Sequence, residues 1–179
     1  MPIAKSQMGE TVQAGVGVLT TSDGRVKLGG VFKVECFGPD GVKKWEDEFH
    51  NLVVNQGLQD LNSKYFKGSG YTANWFLLLK GTGTVAAGDT LASHPGWPEV
   101  NPYAGNRPGI TWGTTSGGSN TATTVSFSIT SAATIAGAGI CNANTGASGL
   151  LYNAGDFTSG PKNVDTGDTV NVTITLTVS

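Results

Sequence analysis

Charge is what this sequence has least of. Only 13% of its 179 residues are charged, where roughly 25% is usual for soluble proteins. Between Arg107 and Asp156 there is no charged side chain at all. The net charge is −2, so no basic field exists to hold nucleic acid. Long apolar runs are missing too: the longest are strand-sized pieces such as "WFLLL" (75–79), which excludes a membrane span. Two cysteines, Cys36 and Cys141, stand far apart without CxxC spacing, and buried free thiols are expected rather than a disulfide. The opening "MPIAKSQMGETVQ" has no apolar block of the signal-peptide kind, which points to synthesis in a reducing cytoplasm.

What fills the space is threonine, serine, asparagine and 27 glycines. Residues 1–67 hold 16 of the 24 charges. The remainder is a hydroxyl-rich chain that suits a surface covered by neighbours, where burying charge would cost most. The alternative is simply a threonine-rich β-protein. The length fits one domain with an arm and allows a core without metals or disulfides.

Residues 1–25 carry Gly9, Gly15 and Gly17 and show no period; they read as an extended arm with weak β character over Val16–Thr21. Few large apolar residues lie there to offset a backbone ordering cost of about 1–2 kcal/mol per residue, so the arm is expected to be held by another chain. Residues 26–179 are the folded domain. "VFKVECFGPDGVKKWEDEF" (31–49) is a hairpin around Pro39-Asp40-Gly41, proline fixing φ and glycine freeing it. Alternation puts Trp45, Phe49 and Val53 on one face and Glu46, Glu48 and His50 on the other.

After Val54 the period changes. Asn55 reads as an N-cap and Leu58, Leu61 and Tyr65 as the apolar stripe of the one helix. "NWFLLLK" (74–80) reads as a buried strand. Residues 81–109 form a long loop stiffened by Pro95, Pro98, Pro102 and Pro108; loops of this length are functional or packed by partners. "TIAGAGICNA" (134–143) is a strand thinned by glycine, implying close backbone approach. "TVNVTITLTVS" (169–179) alternates cleanly, with Val170, Val172, Ile174, Leu176 and Val178 inward. The fold expected is a mainly β, antiparallel β-sandwich, jelly-roll-like, with one short helix and an extended N-terminal arm.

The chemistry-like stretches weaken on inspection. Glu46, Glu48 and His50 sit about 6–7 Å apart along one strand face, without a defined metal-ligand spacing or the apolar setting of a glycosidase acid. "GTGTVAAGD" (81–89) lacks the lysine and helix of a phosphate loop, and "DTGD" (165–168) reads as a turn rather than a calcium loop. No catalytic, metal or cofactor site is expected. The loop "SHPGWPEVNPYAGNR" (93–107) has two readings. In one, Trp97 and Tyr103 are sugar-stacking platforms, with Glu99 and Arg107 as hydrogen-bond partners. In the other, the aromatics plug the loop into the sandwich and Glu99 pairs locally with Arg107.

"HNLVVNQGLQDL", "NWFLLLKG", "GDTLASHPGWPEVNPYAGNRP", "GLLYNAGDF" and "VDTGDTVNVTITLTVS" together resemble small structural proteins of tailed-bacteriophage virions, over roughly residues 31–179. The resemblance implies a β-rich, non-enzymatic virion component, assembled in the host cytoplasm. The leading expectation is a capsid decoration or cement protein that binds the major capsid protein as a homo-dimer or trimer, without direct nucleic-acid or membrane contact. The alternative is a tail or head fibre module binding a host receptor or glycan. The partner-binding residues expected are Val16, Val18 and Leu19 in the arm and Trp97, Tyr103 and Arg107 in the loop.

Overall fold

The computed structural model describes residues 27–71 and 74–179. Residues 1–25, including Val16, Val18 and Leu19, lie outside the described residues. In chain order the elements are β1 (Leu28–Phe37), β2 (Lys43–His50), β3 (Leu52–Val53), α1 (Asn55–Tyr65), β4 (Phe76–Lys80) and β5 (Glu99–Val100). Then come β6 (Ser119–Thr121), β7 (Val125–Ser128), β8 (Ala133–Ile135), β9 (Gly137–Cys141), β10 (Leu151–Asp156), β11 (Lys162–Val164) and β12 (Thr169–Val178).

Two antiparallel sheets pack as a sandwich. In the first, β2, β1 and β12 lie side by side, and β6 and β7 share the far edge of β12. The second runs β3-β10-β9-β4-β5; β8 and β11 form a separate pair. The β1–β2 hairpin turns as its sequence requires. Gly41 takes φ +77°, and the Val42 amide donates to Asp40 Oδ1 at 3.0 Å. β12 then pairs with β1 along its whole length, from Leu28 opposite Val178 to Phe37 opposite Thr169.

One core joins the sheets. Phe32, Val34 and Cys36 of β1 and Val170, Val172 and Ile174 of β12 meet Leu77 and Leu79 of β4 and Ile140 of β9. All five aliphatics of β12 were expected inward, but only these first three are fully buried. Leu176 is half-buried and Val178 is 50% exposed, because the strand outruns the core.

The second sheet is covered on both faces, which explains the unbroken apolar run of β4. Its far face packs Leu78, Cys141, Leu151 and Ala154 against Leu91 and Trp97 of the long loop 81–109. That loop is thus a third layer. Between β9 and β10 the backbones come so close that a Cβ on Gly137 would stand 1.9 Å from the Gly155 carbonyl oxygen, the approach implied by the glycine-thinned sequence. Cys36 and Cys141 are buried free thiols.

The helix departs from expectation twice. Asn55 is its first residue, not its cap; Val54 occupies the cap position in extended conformation, with no side-chain cap bond. The stripe does not face the core either. Gly57 is the one buried residue of α1, and a Cβ there would come within 2.3 Å of the Tyr152 carbonyl oxygen. That carbonyl also accepts the Val54 amide at 3.1 Å. The helix therefore lies on β10 by its glycine flank, and this contact leaves Leu58 and Leu61 part-exposed and Tyr65 79% exposed.

Candidate interaction surface

The acidic stretch of β2 divides as strand alternation demands. Glu46, Glu48 and His50 point outward and are exposed, while Asp47 lies on the inner side with Trp45 and Phe49. Asp47 is only 7% exposed. Its carboxylate accepts the Thr158 amide at 2.9 Å, the Ser159 amide at 3.0 Å and the Ser159 hydroxyl. It is a clamp on the turn after β10. The register also sets Glu46 directly opposite Glu35, a like-charge pair that would destabilise the sheet alone. Lys43 resolves it, donating to Glu35 at 2.9 Å and Glu46 at 2.8 Å. The Lys43 bond holds the Glu35 carboxyl below its ordinary value despite some desolvation.

The three loop residues proposed for partner contact have inward roles. Trp97 is 3% exposed; its indole donates to Asp89 Oδ2 at 2.8 Å, and His94 stacks on it at 4.1 Å. Beneath lies buried Lys80, its ammonium 5.6 Å from the Trp97 ring and paired with Asp156. Tyr103 is 8% exposed and packs on Phe127, ring centroids 4.7 Å apart. Burial pushes its phenol up to about 12. Arg107 grips Glu99 with two bonds of 2.6 Å and holds the carbonyls of Ala143 and Gly146. Of the two readings of the loop, the geometry favours the plug with a local Glu99–Arg107 pair. Neither ring offers a face for stacking a sugar. Trp97, Tyr103 and Arg107 thus hold the loop in place from within.

The outer face of the first sheet has two halves. Toward β2 it carries Lys33, Glu35, Glu46, Glu48 and His50. Toward β6 and β7 it carries only hydroxyls and amides, tied in pairs across the strands. Thr121 meets Thr175 at 2.8 Å, Thr124 meets Thr173 at 2.9 Å, and Ser126 donates to Asn171 at 2.6 Å. Ser119 adds a bond to the Leu176 carbonyl at 3.3 Å. This face bears no charge, and Thr121, Thr124, Ser126, Asn171, Thr173 and Thr175 are already paired across it, so covering these groups carries a small desolvation cost.

Sequence reasoning placed the hydroxyls of β12 outward and its aliphatics inward, and there it succeeded for most of the strand. It missed Asp47, although alternation with Trp45 and Phe49 carried that signal. It also missed the apolar surface beside α1, where Phe66 and Tyr71 are 75% and 72% exposed. Compared with known proteins, the chain matches no family model, no curated protein and no solved structure.

Proposed function

We propose that this chain is a non-enzymatic structural protein of a tailed-bacteriophage virion, a decoration or cement protein that binds the major capsid protein and strengthens contacts between neighbouring capsid subunits. The observation that supports this reading best is the uncharged hydroxyl face of β6, β7 and β12, with side chains paired in rows. Such a face can be buried against a shell without stranding a charge. On this reading residues 1–25, which lie outside the described residues, add a further contact with a neighbouring chain. The fibre alternative draws less support, because the rings that would stack a glycan are buried.

The test is binding to purified empty shells, read as copies per particle. Hundreds of bound copies are expected for a shell protein, and a few to tens would indicate a tail or fibre part. Thr121→Lys and Thr124→Lys place charge on exposed positions of the outer face without touching the core, and they should reduce occupancy strongly while the melting temperature stays near that of the parent. Full occupancy by the charged variants would remove this face from the contact.

A further inference from the structure

Six of the eight exposed large apolar residues among the described residues fall in one short stretch: Leu52, Leu58, Leu61, Tyr65, Phe66 and Tyr71. Leu58, Leu61 and Tyr65 have the 3-then-4 spacing of a helix–helix seam. The rings of Tyr65 and Phe66 stand edge to face at 5.0 Å. The segment after α1 folds back on the helix, where the Ser69 amide donates to the Ser63 carbonyl at 3.1 Å and Lys64 bonds the Gly70 carbonyl. That return brings Tyr71 beside Leu61.

Next to these protruding rings is a depression. Leu61, Tyr71, Trp75, Trp112, Tyr152 and Leu176 line an apolar groove of about 240 Å³. A cavity of about 150 Å³ suffices for a benzene ring, so the groove admits one aromatic side chain. Knob and hole thus occupy the same patch. Among the described residues the charges lining the groove are Asp60 and Lys64, 3.8 Å apart and offsetting each other.

The area decides the kind of partner. An aromatic side chain buries about 150–250 Å² when covered, so three rings about three-quarters exposed and two part-exposed leucines present roughly 500–600 Å². That stands at the top of the range of about 300–600 Å² for the largest patch on a monomer and approaches the ~800 Å² per partner of a stable complex. An isolated helix of 11 residues is marginal in water, and α1 buries only Gly57 in its own chain. A second chain laid on the stripe would supply the missing burial.

We infer that this patch is a two-fold interface between copies of this chain, α1 packing on α1 of the second copy, with an aromatic ring of each copy (Tyr65 or Phe66) seated in the other's Trp75–Trp112 groove. A surface that carries both knob and hole is self-complementary, which is what a two-fold contact requires. The inference gives a surface to the homo-dimer that the resemblance implies, and it does not need the capsid.

Sedimentation of the full chain over a concentration series tests it, with tryptophan emission followed on dilution because Trp75 and Trp112 line the groove. A reversible dimer is expected, with emission shifting to the red as it dissociates. Tyr65→Glu and Phe66→Glu, both at exposed positions, should each weaken association by more than about tenfold and leave the melting temperature of the monomer unchanged. Val42→Glu, on the exposed hairpin turn, should leave the dimer intact. A chain that stays monomeric throughout, or an oligomer indifferent to both glutamates, overturns the inference. Shell binding measured on the same variants keeps the two ideas apart: loss of the dimer with retained shell binding supports this interface independently of the capsid contact.

Discussion

Asp168 shows how single side chains in this protein are held by charge. It is 2% exposed and sits at the entry to β12. Lys44 donates to it at 2.6 Å, the Asp165 amide at 2.8 Å, and Cys36 Sγ approaches at 3.7 Å. Burial pushes its carboxyl up, but the lysine and the amide outweigh that, and it ends below the ordinary 3.8. The contribution to stability is therefore present above pH 3.8 and lost as pH falls through the depressed folded value. Lys44→Met leaves a buried carboxylate with one amide donor, and should cost about 1–3 kcal/mol at neutral pH. The gap between variant and parent should narrow on acidification, as the variant's Asp168 takes up its proton first. Urea midpoints at pH 7 and pH 4 measure this, and a gap that widens at pH 4 contradicts the assignment. The same carboxylate bears on Cys36, whose thiol is pushed up to about 11 by burial first and by Asp168 second.

Among the elements β12 matters most. Among the described residues it is the only strand that pairs with three others, β1 on one side and β6 and β7 on the other. It buries Val170, Val172 and Ile174 completely. At about 1.5–3 kcal/mol for each fully buried side chain, these three alone are comparable to the whole stability of a domain, about 5–15 kcal/mol. Deleting residues 170–179 should abolish folding, seen as loss of a cooperative melting transition. A truncated chain that melts cooperatively would mean that β1 finds another partner. Helix α1 stands at the other extreme. It is tied to β10 and the long loop by a few bonds, among them the Asn55 amide to the Ala87 carbonyl at 2.8 Å and the Leu151 amide to Gln56 Oε1 at 2.8 Å.

At the scale of the whole molecule, charge and hydroxyls divide the outer sheet between them. The β2 side carries the acids and their lysines, and the β12 side carries only neutral groups. A partner approaching that sheet would meet a soluble half and a coverable half. The Lys27 amide donates to the Ser179 carbonyl at 2.6 Å, which closes the end of the β1–β12 ladder; residues 1–25 lie outside the described residues. On the proposed function their amides should exchange quickly with solvent in the isolated protein and slowly on the assembled particle. Equal protection in both states would assign the arm to its own domain and remove it from the shell contact.

Neighbouring residues alone set the local grammar of this chain. Alternation defined β1, β2 and β12, Pro39-Asp40-Gly41 marked the hairpin turn, and glycines in 134–143 signalled close backbones, because such signals depend on neighbouring residues alone. The change of period at Val54 located the helix for the same reason. Periodicity says which side chains share a face, however, and not which face meets the core. The Leu58–Leu61–Tyr65 stripe turned outward because the Gly57 flank fits the Tyr152 carbonyl, a contact between residues far apart in the chain. Trp97 became the floor of a third layer because β4 and β9 expose a second apolar face to it. Asp47 became a clamp because the turn at Thr158 and Ser159 comes to lie over β2. Each of these was decided by which surfaces the two sheets left uncovered, and only the tertiary structure contains that.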